Sequence, residues 1–306
     1  QKAEQAAAAA PTVYYSPLTG NVVTQTETKN TVTAVMIENS DFARPQAGLR
    51  EAGVVFEAIA EAGITRFMAL YQEAKPKNIG PIRSARPYYA LWALGFDAPY
   101  AHVGGSPEAL GNIKQWHVKD MNQFAYGSYY HRISSREAPH NVYTSIDKLA
   151  AIERLNNWKT SNFTGFARKK PDPAKTPTAS TIDFHISSSD FFVHYKYDPT
   201  SNSYLRWEGG APHTDATTGK RLHPNVVIGL VMPYKVESDG YHSAYNTLGS
   251  GKAYVFQDGK VTIGTWHKSG RSTNFTFTDA GNPIKLNPGQ TWITALGSSG
   301  NVSYKP

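Results

Sequence analysis

The sequence predicts an α/β (mixed α+β) N-terminal domain followed by a β-rich C-terminal domain. Three observations lead there. Apolar strand-like runs alternate with short helix-like runs in the first half. The segment "ARKKPDPAKTPTAST" (167–181) is dense in Pro and Lys, as linkers are. Beyond it come short alternating strands with Gly, Asn and Asp turns. The chain therefore divides into a flexible tether over 1–14, an α/β domain over 15–166, a linker over 167–181 and a β-rich domain over 182–306.

"TVTAVMIEN" (31–39) is an apolar strand with a polar end, and "DFARPQAGLREAG" a loop or short helix. "VVFEAIAEAGITRFMALYQ" (54–72) is broken only at Ala62-Gly63, a two-residue turn that predicts a β-hairpin. A helix is the rival, because Glu57 and Glu61 are four apart. In a regular hairpin Ile59 opposes Arg66 and Glu57 opposes Met68. Side chains alternate along a strand, so Glu57, Glu61 and Arg66 then share one face. Phe56, Ala58, Ala60 and Phe67 line the other. A solvated salt-bridge cluster is the plain reading of that polar face, and the floor of a polar site the functional one.

"GPIRSARPYYALWALG" (80–95) leads into a helix with Pro87 in its first turn and Gly95 as its stop. A strand over 98–105 ends in Gly104-Gly105. A helix over 106–116 then begins with Ser106 as N-cap and Pro107 behind it. Strand, Gly-Gly and capped helix is a layout that aims backbone N–H groups at a ligand, and it is also common in plain α/β connections. A polar aromatic loop follows, then a helix from about Ser145 with half of a capping box. In the second half Asp258-Gly259 marks a hairpin.

The 306 residues carry a net charge of +7 and no cysteine. Disulfides, thiolate metal sites and a Cys nucleophile are excluded. The basic balance suits a solvated surface or an acidic partner: wall polymer, lipid headgroup or nucleic acid. No dense Lys/Arg run with interleaved aromatics appears, so no nucleic-acid partner is expected. No apolar stretch is long enough to span a bilayer. "QKAEQAAAAAPT" lacks the apolar core of a signal peptide and reads as a processed tether or a boundary of the chain.

Arg83 and Arg86 stand at the mouth of one predicted helix, and His102 ends a strand before the Gly104-Gly105-Ser106 helix start. "REAPHNVYTS" adds Arg136, His140 and Asn141. All lie at strand ends of an α/β layer, where ligand crevices form. Bidentate donors, imidazoles and helix N-termini suit a phosphate or carboxylate. The expected binding set is Arg66, Arg83, Ser84, Arg86, His102, Gly104, Gly105, Ser106, Arg136 and Asn141. The structural alternative is that Arg83 and Arg86 pair with Glu57 and Glu61 and brace the fold. Glu57, Glu61 and His140 are the acid–base candidates. No nucleophile-elbow Ser is present, and the ten histidines show no metal spacing, so neither metal nor cofactor is expected. Trp207, Trp266, Trp292, Tyr241 and Tyr245 suit a sugar platform, though Trp in a β domain is more often core.

"YYSPLTG", "VMIENSDFARPQAGLREAGVVFEAIAEAGITRF", "IGPIRSARPYY", "HVGGSPEAL" and "REAPHNVYTS" resemble the N-terminal domain of the bacterial YerB-like lipoprotein family. "GSGKAYVFQDGKVTIGTWHK" and "PGQTWI" resemble its companion C-terminal domain. The resemblance implies two domains and a place outside the cytoplasmic membrane, held by an N-terminal lipid anchor or secreted. It implies no catalytic residues. A lipidated Cys, which the family places at the mature N-terminus, is not part of this sequence.

Three functions follow as expectations. The first is an envelope protein binding an anionic or glycan wall ligand in an Arg/His/Glu-lined pocket. The second is a hydrolase or lyase on wall glycan or phosphodiester. The third is a scaffold that contacts other envelope proteins through the β domain, for which a long unpaired β edge would speak.

Overall fold

The computed structural model describes residues 12–306. The tether expected over 1–14 falls mainly outside these residues, and Tyr14–Tyr15 already pairs with Val22–Val23.

One sheet of eleven strands organises the chain. At its centre Val226–Val231 and Thr291–Leu296, from the second half, run parallel to each other. Thr291–Leu296 in turn runs parallel to Val54–Glu61 from the first half. The sheet continues through Ile64–Tyr71, Thr33–Glu38, Tyr100–His102 and Asp120–Asn122 on one side. On the other it continues through Gly249–Gln257, Lys260–Lys268, Thr276–Asp279 and Asn282–Pro283. The expected α/β domain over 15–166 and β-rich domain over 182–306 therefore share one continuous sheet. Buried on both faces, Val54–Glu61 and Thr291–Leu296 need a partner on each edge, and each supplies one for the other.

A second, five-stranded antiparallel sheet is built from Thr181–His185, Phe192–Asp198, Ser203–Glu208, Ala211–Pro212 and Val302–Lys305. Ile182, Phe184 and Tyr195 pack it on Val227 and Phe256 of the large sheet. The expected linker is a packed strap: Lys169 N–H donates to Leu286 O, and Thr178 and Ala179 N–H to Gly259 O. All three α-helices among the described residues lie in the first half: Pro87–Leu94, Pro107–Gln115 and Ile146–Leu155. Ser106 and Ser145 cap the latter two by accepting from Ala109 N and Lys148 N. The first two helices cover one face of the large sheet. Ile146–Leu155 and the small sheet cover the other. Pro87–Leu94 is apolar nearly all round because Tyr88, Tyr89 and Trp92 are enclosed, with Trp92 stacked on Phe56 at 5.1 Å. Such aromatic pairs add about 1 kcal/mol each beyond their burial.

The hairpin forms as expected, with Ala62 and Gly63 at positive φ in its turn. Its register is not regular. Glu57 opposes Phe67, Ala58 opposes Arg66 and Ile59 opposes Thr65, but Glu61 opposes Ile64. The extra residue, Ala60, makes a β-bulge, and a one-residue shift moves every later side chain to the other face. Glu57 thus faces the small sheet, while Glu61 joins Arg66 on the helix-covered face. The expected common face for Glu57, Glu61 and Arg66 does not exist.

Candidate functional site

The segment Arg83–Arg86 is extended and lies between the C-terminal ends of two parallel strands, Thr33–Glu38 and Tyr100–His102. Arg83 N–H donates to Met36 O on one side, and its carbonyl accepts from Val103 N on the other. Ala85 N–H donates to Gly104 O. Strands that separate at their C-terminal ends leave a crevice there. The residues expected to share one pocket divide into four groups around it.

The first group is Glu61 with Arg66 and Arg86. Both arginines pair with its carboxylate, one on each oxygen. Arg66 Nη1 also donates to Ser84 O at 2.9 Å, and Arg86 Nη1 to Ala85 O at 2.8 Å. All three side chains are buried. Burial alone would raise the Glu61 carboxyl, but Arg66 and Arg86 outweigh it and hold it below its usual value. Burial, then Arg66, lowers Arg86. The structural alternative holds for Arg86: its guanidinium meets Glu61 and braces the helix start.

The second group centres on Glu38, which the sequence reading did not single out. Its Oε1 accepts from His140 Nδ1 at 2.9 Å and from Ser40 Oγ at 2.9 Å, and Arg83 Nε lies 3.7 Å away. His140 lines an open cleft of about 410 Å³ with Phe42, Ser135, Arg136, Glu137 and Ala138. The Phe42 ring, largely exposed, tilts over the imidazole at 5.4 Å. Arg136 donates to Ala43 O and Pro45 O, which ties the two walls together. Asn141 does not enter the cleft; it accepts from Arg132 and donates to Arg136 O, folding the 133–141 loop.

The third group is Glu57, wholly buried, which receives both Nη2 hydrogens of Arg206 at 2.9 and 2.8 Å. Trp292 Nε1 donates to it at 3.1 Å. Arg206 also meets Glu208 at 3.0 Å, Tyr195 Oη at 3.2 Å and His213 Nδ1, so all five of its N–H donors are used. His213 accepts from Arg206, so its other nitrogen, at 2.9 Å, donates to Gln46 Oε1. Burial, then Arg206, Arg44 and Arg221, holds His213 neutral, well below its usual range. Glu57 is closed off from any substrate, and this corrects its place among the acid–base candidates.

The fourth group is His102, also wholly buried. Its ring is clamped between Gly104 O at 2.7 Å and Asp120 Oδ1 at 2.9 Å. Asn122 Oδ1 accepts from Gly104 N, and Ser106 is spent on its own helix cap. These residues shape the Gly104-Gly105 turn rather than present donors. Gly105 packs against Ala85. Trp266 and Trp292 are core residues, not platforms.

A pattern joins the first two groups. Among the described residues, eight buried side-chain polar atoms lack a hydrogen-bond partner. Five of them sit here: Glu38 Oε2, the Nε atoms of Arg66, Arg83 and Arg86, and Tyr100 Oη. Buried polar groups are ordinarily satisfied, so such a concentration sets this place apart from the rest of the core. Arg66, Arg83, Arg86 and Arg136 against Glu38, Glu61 and Glu137 leave one positive charge in excess. Arg83 is the most exposed of the three crevice arginines.

Residues 18–159 match the family model described as "Protein of unknown function (DUF3048) N-terminal domain". Residues 181–293 match its C-terminal counterpart. A curated relative, "Putative lipoprotein YerB" of Bacillus subtilis (strain 168), is 33% identical over 287 residues, which span 92% of this chain and 86% of the relative. The crystal structure of the YerB protein from Bacillus subtilis superposes with a TM-score of 0.88 at 29% identity, over 96% of this chain and 100% of that one. Both halves of the family pattern occur here in order, on one shared sheet, and the chain belongs to the YerB-like family that carries the paired DUF3048 domains.

Proposed function

We propose that this chain is an extracytoplasmic envelope protein, anchored or secreted, that binds an anionic ligand in the cleft lined by Arg136 and His140, beside the Glu38–Arg83 pair. The ligand is a phosphate or carboxylate group of a wall polymer or glycan. The location follows the lipoprotein named among its relatives. One observation carries the binding reading: a single buried carboxylate, Glu38, holds His140 in the cleft, lies 3.7 Å from Arg83 Nε, and keeps a second oxygen without a partner. The excess of positive charge favours an anion there.

Calorimetric titration with glycerol 3-phosphate and N-acetylmuramic acid tests it. Arg83→Lys keeps the charge and loses the fork geometry, so the cleft's affinity should fall about tenfold. Unchanged affinity in Arg83→Lys and His140→Gln contradicts the reading.

A second reading, hydrolysis of a phosphodiester, is favoured by the Glu38–His140 pair itself. Glu38 orients the imidazole through Nδ1, and Nε2 has no protein partner, as a general base requires. Turnover of bis-p-nitrophenyl phosphate that is lost in both Glu38→Gln and His140→Gln supports it; no turnover by wild type removes it. The scaffold reading finds no long edge strand at the ends of either sheet. The outermost strands of the large sheet, Asn282–Pro283 and Asp120–Asn122, are short, and the small sheet ends in Ala211–Pro212 and the four-residue Val302–Lys305.

A further inference from the structure

A second cavity, of about 480 Å³, opens on the far end of the Thr33–Glu38 strand from the Glu38 cleft, beside the C-terminal turn of Ile146–Leu155. Its volume is that of an ordinary small-molecule site. The lining combines three features that seldom meet by accident.

Glu153 is a buried carboxyl in its wall, 6% exposed. Thr33 Oγ1 donates to its Oε1 at 2.6 Å, and its other oxygen has no protein partner. Burial raises this carboxyl above its usual value, against the lowering by Thr33, Lys119 and Arg154. Trp158 is half-buried beside it, packed by one side on the core. Lys29, Lys75, Arg154 and Lys159 surround the opening, all exposed. Among the described residues none of the four has a carboxylate within ion-pair distance, and Asp147 on the same helix pairs with Lys77 instead.

We propose that this cavity is a second binding site, for a hydroxyl-rich ligand that carries a phosphate or carboxylate group. Its ring or polyol lies against Trp158, Glu153 bonds its hydroxyls, and the cations hold the anionic group. Each part is required by the chemistry. Four unpaired cations without an apolar floor would suit any polyanion, and an aromatic floor without cations would suit a neutral sugar. The carboxyl inside the cavity repels a bare anion and rewards hydroxyls placed between it and the anionic group.

The shared chemistry has two sources, a carboxylated amino sugar and a polyol phosphate, and two probes separate them: N-acetylmuramic acid and glycerol 3-phosphate. N-acetylglucosamine is the uncharged control. The readout is the Trp158 indole N–H resonance, assigned by its loss in Trp158→Phe. A saturable shift with one anionic probe and a far weaker one with the control are expected. Lys75→Ala/Lys159→Ala, both exposed positions that leave the core intact, should weaken binding at least tenfold. Glu153→Gln should retain binding and Glu153→Ala lose it. His140→Gln should leave the shift unchanged, which separates this site from the Glu38 cleft. No saturable shift with either anionic probe, or a lysine double variant that binds as wild type does, overturns the proposal.

Discussion

Arg206→Met removes the centre of the buried network that joins the two halves. Arg206 is wholly buried and spends all five donors: two on Glu57, and one each on Glu208, His213 and Tyr195. Its guanidinium also lies 4.4 Å from the Trp292 ring centroid. Without it, Glu57 keeps Trp292 Nε1 at 3.1 Å and two longer hydroxyl contacts, from Thr294 at 3.4 Å and Thr65 at 3.5 Å. Glu208 is better placed, since Arg44 lies 3.3 Å away. One uncompensated buried carboxylate therefore decides the cost, which such cases put at about 3–5 kcal/mol. For a chain of this size that lowers the melting temperature by roughly 5–8 °C. Guanidinium unfolding followed by tryptophan fluorescence, alongside calorimetry, reads it. Adding Glu57→Gln to Arg206→Met removes the stranded charge and should recover more than half of the loss. The reasoning fails if Arg206→Met costs under about 1 kcal/mol, or if the double variant shows the additive sum expected of independent sites.

Three further outcomes are expected. Glu61→Gln strands two buried guanidiniums, Arg66 and Arg86, and should cost about 3–5 kcal/mol in the same unfolding assay. His213 stays neutral in the native state while the unfolded imidazole takes up its proton near pH 6.5, so the unfolded state binds more protons below that value. Stability should therefore fall as pH drops from about 6.5 toward 5, and His213→Gln should flatten that slope; Glu61, held below its usual value, adds its own loss only below about pH 4.5. A chain cut after residue 166 leaves Val54–Glu61 without Thr291–Leu296, and should give a poorly dispersed amide spectrum rather than that of a folded domain.

What the sequence made legible was local. The Ala62-Gly63 and Asp258-Gly259 turns and the Ser106 and Ser145 caps depend on a few adjacent residues, and each forms where the pattern puts it. The shared sheet was not legible, because Thr291–Leu296 pairs with Val54–Glu61 across more than two hundred residues. The bulge at Ala60 has no Gly or Pro to announce it, and it alone decides that Glu57 and Glu61 lie on opposite faces. Glu57 finds Arg206 149 positions away, a partner no spacing rule supplies. Arg83, Arg136 and His140 were legible as a basic, imidazole-bearing set. Glu38, which ties two of them together 102 positions from His140, stood at the end of a strand run where a polar residue reads as a stop.

The central claim is that an anion enters the cleft beside Glu38. The most direct measurement is an NMR titration of labelled protein with glycerol 3-phosphate and, separately, N-acetylmuramic acid, following the His140 ring and the Arg83 and Arg136 side-chain N–H resonances. Saturable shifts confined to that set, weakened about tenfold in Arg83→Lys, are predicted, with the buried His102 and Arg206 signals unmoved. Resonances at His140, Arg83 and Arg136 that stay fixed at millimolar concentrations of both ligands would contradict it.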